Sequence, residues 1–284
     1  MLTNLGKQSL SYTNYSTRNL PFLVSYFVDL ARYRHLAWSL VGSDLRARFR
    51  RSYLGILWAV LQPLGFSLIV ALVWSQVFKT QSIETFIIYV FSGMLIWEYF
   101  SQSVIVSLDS LINSAGYLKQ ARIPFLVFQM RVPLSALVVL MFGMIGLFGM
   151  MAAVGHLPPL GFHLLLLPVY FLMLVTFMIP MSVIASIVGP SFRDSKHVIG
   201  LLLQAVFFVS PVMLERGVLN NEAIAFIKYL NPLVPLLDLF RDPMLYGKLW
   251  QAHDVLVWLG WTAGLWIVAV LAAARAGRSI IFAL

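Results

Sequence analysis

Residues 44–64 read DLRARFRRSYLGILWAVLQPL: four arginines, Arg46, Arg48, Arg50 and Arg51, fall within six positions and run directly into an apolar stretch. A cluster of that kind at the start of a greasy segment fixes which way the segment enters a bilayer. The rest of the composition agrees. Hydrophobic residues make up 60% of the 284 and charged residues 11%, against about 25% charged in an ordinary soluble domain. With about 20 apolar residues needed per crossing, the chain has room for several spans and no large soluble domain. The absence of cysteine excludes disulfides, thiolate metal sites and cysteine nucleophiles.

Six apolar runs follow one another, at about 54–78, 86–106, 125–154, 164–188, 198–213 and 255–274, of which only the fifth is short. The expected fold is therefore an all-α integral membrane protein with six transmembrane helices. Of the 20 lysines and arginines, 15 sit in the N-terminal segment, the second-to-third and fourth-to-fifth connections and the C-terminus, counting Arg131 near the entrance of the third run. By the positive-inside rule both termini are cytoplasmic, which an even number of spans also requires. Residues 1–20, rich in Ser, Asn, Thr and Tyr, read as a mobile cytoplasmic tail. Residues 21–51 read as a cytoplasmic interfacial helix with the basic cluster: at 100° per residue Ser25, Asp29, Arg32, Ser39 and Ser43 share one side, Leu23, Phe27, Leu30 and Val41 the other. Residues 52–284 form the membrane domain. Within it, the proline-broken stretch 211–250 is too interrupted to span and reads as short re-entrant helices, a lid over a pathway. Gly143, Gly146 and Gly149 recur along one helix face and suit close approach of a neighbour.

Several motifs resemble the membrane subunit of ABC exporters that carry lipid-linked polysaccharides such as O-antigen, capsule or teichoic acid, the O-antigen branch most closely. They are DLRARFRRSYLGILWAVLQPL itself, FRDSKHV at 192–198, SPVML at 210–214 and NPLVPLLDLFRDPMLYG at 231–247. The resemblance covers residues from about 30 to the C-terminus. It implies a homodimer, each copy paired with a separately encoded ATPase, two ATPase copies in all, working on lipid-linked polysaccharide in the inner membrane. No GxxxxGK[ST] phosphate cradle occurs here. ATP and magnesium therefore belong to the partner, and no cofactor, metal, catalytic residue or nucleic acid is expected for this chain.

Each candidate site also has a plainer reading. Arg46, Arg48, Arg50 and Arg51 orient the first span; beside an anionic surface they also supply on the order of 1 kcal/mol each toward a phosphorylated headgroup, and guanidinium geometry suits phosphate oxygens. The resemblance adds Tyr53, Leu54 and Gly55 to that headgroup entrance. Trp58, Phe66, Trp74, Trp97, Tyr99 and Phe100 offer flat faces to sliding sugar rings, or simply pack. The connection 109–124 has room for three helical turns; the resemblance makes it the ATPase-coupling helix, with Asp109, Leu111, Tyr117, Lys119 and Arg122, and Arg193 and Asp194 form a second contact or a salt-bridged turn. Asn231, Pro232, Arg241 and Asp242 fix an outer gate, or cap and pair locally. Glu98, ionisable within an apolar stretch, should face a cavity or a partner. Two rivals remain: an ABC exporter of a small lipid or drug, and a membrane glycan transferase drawing on Glu215, Glu222, Asp238 and Asp242. No paired-acid motif beside a basic phosphate site supports the latter, and His156 and His163 lack a local carboxylate for a metal.

Overall fold

The arginines of the opening stretch finish a helix. The computed structural model describes residues 33–50, 52–78, 82–120, 125–158, 161–191, 194–213 and 227–276. Ten α-helices are described: α1 (Arg34–Phe49), α2 (Trp58–Phe78), α3 (Ile83–Leu108), α4 (Ser110–Gln120), α5 (Phe125–Val154), α6 (Leu166–Ser191), α7 (Ser195–Val209), α8 (Ile227–Leu230), α9 (Leu233–Leu245) and α10 (Ala252–Ala276). Arg46 and Arg48 occupy the last turn of α1 and Arg50 caps it in extended backbone, where cations meet the negative end of the helix dipole. The interfacial helix and the basic cluster are thus one continuous element. Ala37 and Leu40 of α1 pack against Val127 and Phe128 of α5, with Ser39 and Ser43 exposed and Val41 buried. The tail 1–20, the earlier part of the expected surface helix, Arg51, Arg122 and Arg193 lie outside the described residues.

Among the described residues, five helices are long and apolar enough to cross a membrane: α2, α3, α5, α6 and α10. The short fifth run forms α7, 15 residues, about 22 Å at 1.5 Å per residue. It stops at Ser210, whose backbone turns extended. Among the described residues, the fifth of the six expected runs is thus a shorter apolar helix beside five long ones, and α3 lies at the centre: Val90, Phe91 and Ile96 have no exposure.

Close approach explains several glycines. A Cβ on Gly143 would overlap Leu95 of α3, and one on Gly146 would overlap Val60 of α2, whereas Gly149 has open space. Two of the three glycines on that face are therefore contact points. At the Arg-rich end, a Cβ on Gly189 of α6 would collide with the backbone carbonyl of Leu108, so these two helices touch backbone to backbone.

Prolines inside apolar helices free carbonyls four residues earlier, which in hydrocarbon must find another donor. Tryptophans supply it twice. Pro180 in α6 frees Thr176 O, which accepts from Trp266 Nε1 at 3.2 Å, and Pro243 in α9 frees Leu239 O, which accepts from Trp250 Nε1 at 2.8 Å. Replacing Trp250 with Phe should cost about 1–2 kcal/mol. In a Pro243→Ala background, whose new N–H reclaims Leu239 O, the same change should cost less; a double-mutant cycle on thermal unfolding in detergent reads the difference.

Candidate functional site

The turn that joins α1 to α2 is built on Gly55. Its φ is +52°, a region where a side chain costs about 1–2 kcal/mol, and its N–H donates to Ser52 Oγ at 3.2 Å. A 3₁₀ turn, Gly55–Leu57, then leads into α2. Tyr53 projects fully from this turn and Leu54 is also exposed. The Leu-Gly pair thus has a mechanical reason: only glycine relaxes in the bend that reverses the chain from surface helix to span.

Beside the turn lies a cavity of about 240 Å³, walled by Arg48 from α1, Trp58 and Gln62 from α2, Glu98 and Gln102 from α3, and Leu140 from α5 among others. Glu98 meets both halves of its expectation. It faces the cavity, and its Oε1 accepts from Gln62 Nε2 at 3.1 Å; a second hydrogen bond joins it to Gln102, and Arg48 lies within electrostatic reach. Desolvation at the wall pulls the Arg48 guanidinium down from its usual value, and the Glu98 charge opposes that shift. On the other flank of α1, Asp44 lies 3.5 Å from Arg131 Nε; burial raises this carboxyl more than the guanidinium lowers it. Arg46, Arg48 and Arg50 are all exposed; of the three, Arg48 lines the cavity.

The aromatic set divides. Trp58 and Tyr99 line the cavity. Trp97 stacks obliquely on Phe207 of α7 with ring centres 5.0 Å apart, and Phe66 meets the same ring edge-on at 6.3 Å. Phe100 is buried and packs toward Phe177; Trp74 is half-buried near the far end of α2. Two of the six, Trp97 and Phe66, therefore converge on α7, and two, Trp58 and Tyr99, on the cavity.

At the same end of the bundle α4 forms the expected three-turn helix. Leu111 is fully buried, which turns one face of α4 into the bundle. Asp109 pairs with Lys196, the first turn of α7, tying the two Arg-end connections together. Asp194 is exposed and its carbonyl accepts from His197 and Val198 at the start of α7. Tyr117 and Lys119 belong to α4.

At the opposite end the four proposed gate residues lie on or beside α9, and α9 is buried from Leu233 to Met244. Arg241 is drawn into the protein with it. Its guanidinium lies 3.7 Å from the Tyr89 ring centre. It donates to Pro211 O at 2.6 Å, Val212 O at 2.9 Å, Tyr89 O at 3.0 Å and Ser92 Oγ at 3.2 Å. Asn231 works beside it: Nδ2 donates to Ser210 Oγ at 2.8 Å, and Oδ1 accepts from the Leu233 N–H at 3.0 Å, with Pro232 between. Asp242 is buried, and its carbonyl accepts from Lys248. The SPVML and NPLVPLLDLFRDPMLYG motifs are thus two halves of one contact. Its remaining wall, Gly93, went unread in the sequence: a Cβ there would strike Arg241 and sit 2.6 Å from Val212 O. The available signal was an isolated glycine within the apolar run FSGMLIW.

Residues 35–245 match the family model described as ABC-2 type transporter. The chain belongs to that family. An "O-antigen export system permease protein RfbA" from Myxococcus xanthus is 32% identical over 216 residues, 75% of this chain and 81% of the relative. A protein of the same name from Klebsiella pneumoniae is 28% identical over 74% of this chain and 80% of its own length. The "Polysialic acid transport protein KpsM" of Escherichia coli is 22% identical over 72% and 79%. The matched region of this ABC-2 chain contains the Arg48 cavity, α4 and the whole Arg241 contact.

Two substitutions test these parts. Gly93→Ala should lower the unfolding midpoint as Arg241→Ala does, each by about 3 kcal/mol equivalent, because either change breaks the same buried polar seat. Gly55→Ala should cost only about 1–2 kcal/mol, seen as a modest shift in the same melt.

Proposed function

We propose that this chain is the permease half of an ATP-driven exporter of lipid-linked polysaccharide, O-antigen in class, acting in the inner membrane with both termini in the cytoplasm. The observation that carries the reading is a basic helix end beside a cavity between membrane spans whose otherwise largely apolar lining carries Arg48, Gln62, Glu98 and Gln102. A sugar polymer in hydrocarbon would leave hydroxyls unsatisfied at several kcal/mol each, so it needs a polar path, and an anionic lipid headgroup needs cations at the mouth. The names of the relatives point to the same class of cargo, and the weight of positive charge at the α1 end supports the orientation.

Two copies of the chain pair with two copies of a separate ATPase, which binds ATP and magnesium. α4 and the Asp109–Lys196 pair, with Asp194 close by, receive the ATPase stroke. Tyr53, Leu54 and Gly55 sit beside the arginines where the headgroup enters. α2 and α10, the least covered spans, present apolar faces to lipid and to the second copy. A small-lipid exporter would use the same architecture, and only cargo identity separates the two.

Depleting the protein in its native cell decides the cargo. Full-length glycan retained on the cytoplasmic side, and returned to the surface only with an active ATPase, is the expected result; normal surface glycan overturns it. Arg50→Ala combined with Arg51→Ala should lower export severalfold while the dimer, followed by cross-linking, persists. Undiminished export would remove the headgroup role from the cluster.

A further inference from the structure

We propose that the Glu98 cavity is a sugar-reading subsite, which holds the first sugar of the lipid-linked chain while Arg48 at its mouth takes the adjoining phosphate. This rests on the export reading above and sharpens it. The cavity, about 240 Å³, falls just under the roughly 300–1,000 Å³ of drug-sized sites. It admits a headgroup and one sugar, not a polymer.

Its chemistry is that of a hydroxyl reader. A carboxylate offers about four acceptor positions; Gln62 and Gln102 engage Glu98 and leave room for sugar hydroxyls. Both amides also carry spare donors and acceptors. Trp58, about half exposed at 48%, supplies a flat apolar plate on the same wall. The wall further contains Tyr99, whose buried hydroxyl has no hydrogen-bond partner among the described residues.

Charge sets the order of the two groups. Glu98 repels phosphate and so excludes it from the interior, whereas Arg48 attracts it at the rim. A neutral sugar is therefore the part that enters. The arrangement makes the permease respond to a glycosylated lipid over the bare carrier, because leaving Glu98 and the glutamines without sugar hydroxyls forfeits their hydrogen bonds.

The test uses the permease with its ATPase in nanodiscs and two probes: a polyprenyl diphosphate, and the same lipid bearing one N-acetylhexosamine. The glycosylated probe should bind about tenfold tighter, the order of discrimination that a few polar contacts give. Glu98→Gln should collapse that ratio to about twofold or less, and Gln62→Leu should do the same independently if the first variant does not assemble. Arg48→Ala should weaken both probes in parallel. A ratio that survives both cavity variants, or a wild-type protein that does not discriminate, overturns the subsite. The export reading stands or falls separately on the depletion experiment: trapped polymer together with indifferent probes would sink the subsite alone.

Discussion

A guanidinium deep in a membrane bundle has to be solvated by the protein itself, and the way Arg241 is solvated organises much of this structure. Three backbone carbonyls and a serine hydroxyl receive its N–H groups, and the Tyr89 ring covers its face. The acceptors come from α3 and from the turn after α7, while the arginine comes from α9. Three segments far apart in sequence are thereby tied at one point. Carbonyls in that turn, which ends a helix at membrane depth, would otherwise be short of donors.

This tie accounts for the short α7. A fifth run that crossed the bilayer would carry its backbone past Ser210; instead the chain turns, exposes Pro211 O and Val212 O to Arg241, and anchors Ser210 to Asn231. The irregular backbone there is tolerated because it lies against protein. Gly93 provides the space in which α3 meets that backbone. The same principle repeats where prolines interrupt α6 and α9, with indole N–H groups taking the freed carbonyls.

The other end of the bundle follows a different logic. Charge there is exposed or paired: Asp109 meets Lys196 in an open pair, and Asp44 meets a buried Arg131. The cavity sits at the junction, lined by Arg48 at the end of α1 and by Glu98 in a span. An acid in that position has two amides and the field of Arg48 beside it.

Much of this was legible from the chain. Composition fixed a membrane protein, hydropathy located each long helix, and the arginine cluster marked the junction of surface helix and first span, because bilayer thickness and charge placement act on sequence locally. Glu98 announced itself as an ion that needs company. What the sequence could not decide was the company. That Arg241 seeks carbonyls rather than a carboxylate, that Gly93 makes room for it, that Gln62 and Gln102 flank Glu98, and that Trp97 and Phe66 meet on Phe207 while Trp58 faces the cavity are all consequences of helix rotation and crossing. Those depend on contacts between residues up to about 150 positions apart, and one apolar face of a membrane helix looks much like another until its neighbour is in place.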